Sequence, residues 1–464
     1  MAVPKLIQYL ATFSSQEAAA MRDFVASAYF CPRTDLRQLL LYLLRQWPDF
    51  PPASCSKEVL HQQVYSGQAY DDPRLRYLLS DGCRLVELFW GMARYQKDTQ
   101  QQQLDLLKEL SQRGLQKMYE SKCREATRQK MKRVFTEPED YRAEYEWAAA
   151  EEDHFVRQHQ RNFNDQIEAA AQALDRYYFF QQLVYACGMQ GRQNILQGTY
   201  ELPFTEHWLR HLEEKAFFGD EQISLYYTIL QMQQHEDKAH FEILLDKINS
   251  YVGRISTAVL RSAYIAAINF CARRIRQGET SFVAVALDLY TKGLQDKVLL
   301  ENGQLSPWAF NNVVKLALRL RRYDWIPVFM DTYEGYLPES FRADAAHYNR
   351  AELYYYTRRL EAAQEALLQV SYSDLNYYLG ARVLLAKIYF EKEEIEPLLS
   401  LLAAFTIFLK RNKEISADLR QTYLNFCTIL FQITKRKPGS SDAIRKRIEE
   451  AQPLTDREWL LKIV

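Results

Sequence analysis

Apolar residues in this 464-residue chain recur every three or four positions, in stretches long enough for helices and separated by short polar breaks. Strict alternation of β-branched and polar residues is missing, so the pattern predicts helices and no sheet. Ser14 with Glu17 forms a capping-box pattern opening a helix through Phe24 and Val25. LRQLLLYLLRQW (36–47) reads as a strongly apolar helix and PDFPPAS (48–54) as a linker. Ser56 is placed to cap KEVLHQQV, and a long helix is expected from about Pro73 to Tyr95. Gly188, Gly191, Gly253 and Gly278 are expected at helix ends, where glycine accepts a left-handed backbone. KRKPGSSD (435–442) reads as a loop. Thr455 with Glu458 predicts a last capping box before a terminal helix, EWLLKIV. The longest apolar run, Leu398–Leu409, is about half the length a membrane span needs, so a buried helix is expected there.

A longer period lies over the helical one. Trp325, Leu360 and Ile395 are spaced by 35 residues, as are Val328, Ala363 and Leu398, and Leu316, Ala351 and Ala386. A fixed period in the thirties is the signature of stacked helical hairpins. Small residues such as Ala351 and Ala386 let two helices approach, while aromatic and Leu/Ile positions fill the space between hairpins. Such repeats present surfaces for binding and carry no chemistry of their own.

Charge divides the middle of the chain. Residues 113–133 hold eight basic side chains and two acidic ones, and residues 137–153 hold eight acidic side chains and Arg142 alone. Thr136 and Pro138 mark a turn between them, so an antiparallel hairpin would set opposite charges side by side, each exposed pair contributing under about 1 kcal/mol. The organisation expected is an N-terminal helical domain over 1–100, a charged helical hairpin over 101–175, and helical hairpins with C-terminal capping helices over 176–464.

DAAHYNRAELYYYTRRLEAAQEALLQV (344–370) and its counterpart over 379–405 resemble tetratricopeptide repeats, with small, aromatic and small residues at matching offsets. The likeness is fair over 309–335 and weak over 175–300, where ENGQLSPWAF (301–310) spoils the phase. It implies an irregular α-solenoid with the first helix of each hairpin on a concave face. LATFSSQEAAAMRDFVASAYF and VYSGQAYDDPRLRYLLSDGCRLVELF resemble the opening of a group of uncharacterised Bacteroidetes proteins, a likeness that implies a lineage and no activity. The fold class expected is therefore all-α, with a small helix-turn-helix-like domain ahead of the solenoid.

Composition narrows the function classes. Lysine plus arginine balances aspartate plus glutamate, 59 against 59, which gives no general attraction to a polyanion. The seven cysteines are dispersed without a C-x-x-C pair and read as free thiols. The N-terminus lacks the pattern of a signal peptide. A cytoplasmic protein with no membrane association and no cofactor is expected. Phosphate-binding, nucleophile-elbow and zinc-protease motifs do not occur, so an enzyme is not expected.

His207 and His211 share a helical face, but no third zinc ligand is evident in the sequence. Groove candidates on the first helices of the hairpins are Tyr348, Asn349, Glu352, Tyr355, Tyr356, Lys387 and Phe390, since tyrosine offers wide contact with a polar tip. The leading expectation is a scaffold or adaptor binding a protein or peptide there. The alternative is a DNA-binding regulator, with Arg74 and Arg76 at the start of a recognition helix and Asp71, Asp72 and Asp81 opposing it.

Overall fold

A computed structural model describes the chain except residues 1–2, 131–137, 159–162, 194–199, 202–205, 215–218, 372–374, 414 and 436–440, and the side chains of 127–130, 206–207 and 376. Among the described residues the fold is all-α apart from one two-stranded hairpin. It divides into two compact units, one of Met1–Phe135 with Glu139–Tyr177 and the other running from Tyr178 to Val464.

The first unit begins with α1 (Lys5–Ala11), α2 (Ser15–Ala26), α3 (Thr34–Arg45), α4 (Lys57–Val64) and α5 (Asp72–Lys97). The Ser14 capping box forms, with Ser14 Oγ accepting from the Glu17 amide and Glu17 accepting from the Ser14 amide. Ser56 likewise caps α4 by accepting from the Val59 amide. Leu6, Leu10, Met21, Leu39, Leu43, Leu60, Leu75 and Val86 make one continuous core for these five helices. Burying each such side chain contributes on the order of 2 kcal/mol.

Helices α6 (Thr99–Gln112), α7 (Gln116–Lys130) and α8 (Glu139–Arg157) share a second, smaller core at Leu107, Leu110 and Tyr119. The expected antiparallel pairing of α7 with α8 is present, although its turn lies outside the described residues. Among the described residues no ion pair joins the two helices. Gln158 donates to Gln116 (2.7 Å), His154 stacks on Tyr119 at 3.5 Å, and Cys123 reaches Glu151. The ion pairs recorded for the described part of the basic run, Arg113 with Glu109 and Lys122 with Glu125, stay on their own helices. Partners one turn apart on a helix meet with less ordering of long side chains than partners on two helices.

The boundary between the units falls inside α9 (Gln166–Gln193). Gly188 therefore sits within a helix and not at its end, whereas Gly253 (φ +75°) and Gly278 (φ +95°) do follow helix ends in the left-handed region. In the second unit α10 (Glu206–Glu214) precedes α11 (Glu221–His235) and α12 (Lys238–Tyr251), and then α13 (Thr257–Arg276) and α14 (Phe282–Gln295). A hairpin of β1 (Leu300–Glu301) and β2 (Gln304–Leu305) follows, in the segment where no strand was expected. Asn302 and Gly303 turn it with positive φ at both positions, which is what an Asn-Gly pair favours. Arg261 secures it from α13, donating to the carbonyls of Val298 (2.7 Å) and Leu300 (2.8 Å).

Next come α15 (Pro307–Arg319), α16 (Trp325–Tyr333), α17 (Glu339–Tyr356), α18 (Leu360–Leu368), α19 (Leu375–Glu391) and α20 (Ile395–Arg411). The chain closes with α21 (Ala417–Thr434), α22 (Ser441–Glu450) and α23 (Arg457–Ile463). Helices of the second unit pack chiefly on those next to them in the chain, and α17 also packs on α15 and α19. Trp325, Leu360 and Ile395, the first 35-residue series, open α16, α18 and α20.

Each of the preceding first helices ends in the same turn. A non-glycine residue at positive φ (Arg321, Arg358, Glu393) is followed by an amide that reaches back five residues, Arg322 to Ala317, Arg359 to Tyr354 and Glu394 to Tyr389. The other series are less regular. Ala351, Ala386, Ala363 and Leu398 are buried, but Leu316 is half-buried and Val328 is 63% exposed. The ends of α15 and α17 stand 37 residues apart, against 35 for α17 and α19, so the register of the first hairpin is offset by two.

One half-buried lysine is held by hydroxyl and carbonyl groups, with no ion pair among the described residues. Lys247 on α12 donates to Ser224 Oγ (2.8 Å), the Ser224 carbonyl (3.1 Å) and Thr228 Oγ1 (2.6 Å), and burial lowers its pKa. A base whose folded pKa lies below its unfolded value of 10.5 weakens the fold at all pH values below the folded pKa. That penalty fades as pH rises towards 10.5, where the unfolded chain also loses its proton. Lys247→Met is therefore expected to raise Tm at pH 7, with a smaller gain at pH 10. Thermal melts at both values check it, and an equal or larger gain at pH 10 would contradict it.

Candidate functional site

Four adjoining cavities run along one stripe of α13, α15, α17 and α19 in the second unit. Residues three or four apart on each helix line them: Asn269, Ala272 and Arg276; Asn312, Lys315 and Arg319; Tyr348, Glu352 and Tyr356; Gly380, Leu384 and Lys387. That spacing keeps each set on one helical face, which is why separate helices contribute one continuous lining.

The cavity by the β1–β2 hairpin measures about 450 Å³ and is flanked by the exposed side chains of Ile265 and Trp308. Between α13, α14 and α15 lies one of about 400 Å³, where Asn312 Nδ2 donates to the Tyr290 hydroxyl (3.2 Å). Arg276, Lys315 and Arg319 all line this stretch and are exposed, no acidic residue lines it, and none of the three cations has an ion pair among the described residues.

A third cavity, of about 280 Å³, lies between α15, α17 and α19. Tyr348 donates to Glu352 (2.7 Å), and burial first, then the Glu352 charge, pushes the Tyr348 pKa well above its ordinary value. Tyr348 is thus a neutral donor throughout the physiological range. Its ring lies so close to α19 that a Cβ at Gly380 would come within 2.9 Å of the hydroxyl.

The C-terminal segment enters the lining of this third cavity through Thr455 and Asp456, and it supplies Asp456 to Trp459 to the last, of about 1180 Å³. Asp456 pairs with Lys387 at 2.8 Å. The Lys387 ammonium also lies over the rings of Tyr355 (5.0 Å) and Trp459 (5.5 Å). Trp459 Nε1 donates to Glu391 (3.1 Å), and its ring meets Phe390 edge-on at 5.7 Å and Phe426 at 6.5 Å. Glu391 also accepts from the Tyr355 hydroxyl and from Arg358 (2.6 Å). Burial and the Glu391 carboxylate raise the Tyr355 pKa.

Arg457 fixes where α23 begins, donating to the carbonyls of Ile448, Glu449 (2.8 Å) and Ala451 (2.5 Å) at the end of α22. The expected Thr455–Glu458 capping box does not form. Asp456 takes the capping position with φ +51° and no side-chain cap, because its carboxylate is turned to Lys387 and to the Thr455 hydroxyl.

Of the seven groove candidates, Tyr348, Glu352, Tyr356 and Lys387 line one cavity, and Tyr355 joins Tyr356 and Lys387 on the next. Tyr356 is 48% exposed, whereas Tyr348, Glu352, Tyr355 and Lys387 are largely buried. Phe390 packs against Trp459 outside the cavity linings. Asn349 lies in the interior, donating to the Ala345 carbonyl at 2.8 Å.

Sequence reasoning placed the terminal helix at EWLLKIV but missed Arg276, Lys315 and Arg319 and the packing of α23 against Lys387, Phe390 and Glu391. A 37-residue step back from Glu352 and Tyr356 reaches Lys315 and Arg319; a 35-residue step does not.

In the first unit, the Arg74 guanidinium lies 3.8 Å above the Tyr65 ring and donates to Gln68. Arg76 pairs with Asp72 at 2.9 Å. Of the paired histidines, the His207 side chain lies outside the described residues, and His211 packs against Phe179. Among the described residues no group of three potential metal ligands is gathered, and no helix is long and apolar enough to cross a membrane.

No family model, curated protein or solved structure matches this chain.

Proposed function

We propose that the second unit is an α-solenoid of tetratricopeptide-like hairpins whose concave face binds a protein or peptide, making this a non-enzymatic adaptor. The observation that carries the reading is the continuous groove along α13, α15, α17 and α19, lined by one stripe from each helix. The repeated turn at Arg321, Arg358 and Glu393 supports it, since equivalent turns orient successive hairpins alike. Exposed Trp308, Ile265 and Tyr356 supply apolar area with polar tips, the composition of a binding surface more than of a solvated one.

A photoreactive benzoylphenylalanine at Asn312, within the groove, is expected to give a discrete cross-linked species in the cells that make the protein. The same group at Val328, exposed on α16 and outside the cavity linings, is expected to give none. Leu316→Arg should diminish the Asn312 product by narrowing the groove. Identical products from the two positions would refute the reading.

A further inference from the structure

The groove's charges are not all met in the same way. Where α23 enters, the Lys387 ammonium has the Asp456 carboxylate at 2.8 Å and the Tyr355 and Trp459 rings beside it, while Arg358 has Glu391. One stretch further along, Arg276, Lys315 and Arg319 have no ion pair among the described residues, although Lys315 lies 5.9 Å over the Tyr348 ring and Lys315 and Arg319 also line the third cavity with Glu352 and Asp456. Lys315 and Arg319 are one turn apart on α15, roughly 6 Å along the helix axis. Arg276 joins them from α13 across the same cavity. The chain as a whole has no net charge, so this concentration of cations without an ion pair among the described residues is local and not a by-product of a basic protein. Beyond it, on the hairpin side, the lining turns apolar at Ile265 and Trp308.

We propose, on the reading of the groove as the partner site, that its occupant is an acidic peptide segment. Its side-chain carboxylates pair with Arg276, Lys315 and Arg319, and an adjacent apolar residue rests against Ile265 and Trp308. The end of the groove held by α23 displays the same chemistry in an intramolecular form, a carboxylate on a lysine followed by an indole. Guanidinium groups at two of the three positions favour planar carboxylates, which they engage through two parallel hydrogen bonds. The apolar flank and the tyrosine tips suit a polypeptide better than a nucleic-acid backbone, whose charge repeats without apolar interruption.

The test is fluorescence anisotropy on the full-length protein with a labelled octapeptide of six glutamates and two leucines. A matched octapeptide of six lysines and two leucines and a labelled twelve-nucleotide oligo-dT serve as controls. Binding of the glutamate peptide is expected to weaken at least tenfold in Lys315→Glu/Arg319→Glu and to weaken again as salt shortens the screening length. The lysine peptide should not bind. The neutral pair Lys315→Gln/Arg319→Gln should give a smaller loss, and it stands in if charge reversal perturbs folding. Unchanged affinity in both variant pairs, no binding by the wild type, or equal binding of the lysine peptide overturns the proposal. Oligo-dT bound as tightly, and with the same sensitivity to both variant pairs, makes the site a general polyanion site and likewise overturns it. If the glutamate peptide fails while the Asn312 cross-link persists, the partner chemistry is wrong and the groove reading stands. Loss of both removes the groove reading as well.

Discussion

Glu391→Ala is expected to destabilise the second unit by about 3 kcal/mol and to release α23 from the groove. Three donors converge on this one carboxylate: the Tyr355 hydroxyl from α17, Arg358 from the turn after α17, and Trp459 Nε1 from α23. Its side chain is 17% exposed, so truncation leaves the Tyr355 hydroxyl and Trp459 Nε1 without their acceptor at the edge of the last cavity. Arg358 is 71% exposed and returns to solvent at little cost. The loss therefore comes mainly from the two ring donors, together with the packing of Trp459 on Phe390 and Phe426 once α23 lifts.

Glu391→Gln keeps an acceptor in place and should lose less than half as much. Denaturant melts measure the cost, and amide exchange over 457–463 measures the release. Protection of α23 unchanged in Glu391→Ala would show that Lys387–Asp456 and the Arg457 contacts hold it without Glu391.

Gly380→Val is expected to cost about 2 kcal/mol, and more if α17 and α19 cannot separate. A Cβ at 380 would stand 2.9 Å from the Tyr348 hydroxyl and 3.1 Å from two of its ring carbons. The ring is held on several sides. It is buried, its hydroxyl is committed to Glu352, and Tyr377 meets it edge-on at 5.6 Å. A rigid ring shifts as a body, so the strain passes to α17 instead of being absorbed by a flexible chain end. Valine adds a branched Cβ to the same clash.

Pairing Gly380→Ala with Tyr348→Phe gives the sharper measurement, since removing the hydroxyl removes the nearest contact. A coupling of about 1 kcal/mol is expected in that cycle. Strict additivity would mean that the close approach of α17 and α19 is relaxed elsewhere. Gly380 also lines the third cavity, so either substitution should narrow the groove between those helices.

Local chemistry announced itself in the sequence wherever a few neighbouring residues decide the outcome. Ser14 with Glu17 and Ser56 cap helices because cap and partner lie within one turn of each other. The 35-residue spacing marked the starts of α16, α18 and α20, since hairpins of equal length repeat their helix starts. It failed for Leu316 and Val328, where a two-residue change in hairpin length moves the face on which a residue falls by about 200°.

The turns that make the hairpins alike carry Arg321, Arg358 and Glu393 at positive φ, positions where glycine would be the signal sought. Asn302-Gly303 was the opposite case: an explicit turn signal read as an interruption of the repeat, which in fact builds the β1–β2 hairpin. Tyr348, Glu352, Tyr356 and Lys387 share one lining, but Asn349 turns to the interior and the same reasoning did not reach Arg276, Lys315 or Arg319. The docking of α23 was equally out of reach, because Trp459 meets Glu391 across 68 residues and nothing near either position encodes that meeting.

The shared turn also bears on how such a chain changes length. After Tyr356 the backbone passes through Thr357, Arg358 in the left-handed region and Arg359 into α18; after Glu391 it passes through Lys392, Glu393 in the same region and Glu394 into α20. Excising the 35 residues from Thr357 to Glu391 would join Tyr356 to Lys392 and leave a junction of unaltered conformation, with one hairpin's worth of helix removed. Duplication at the same point would add one. Insertions and deletions in this region thus come in a natural quantum, and a gene encoding it can lengthen or shorten the row of helical hairpins without inventing a new loop.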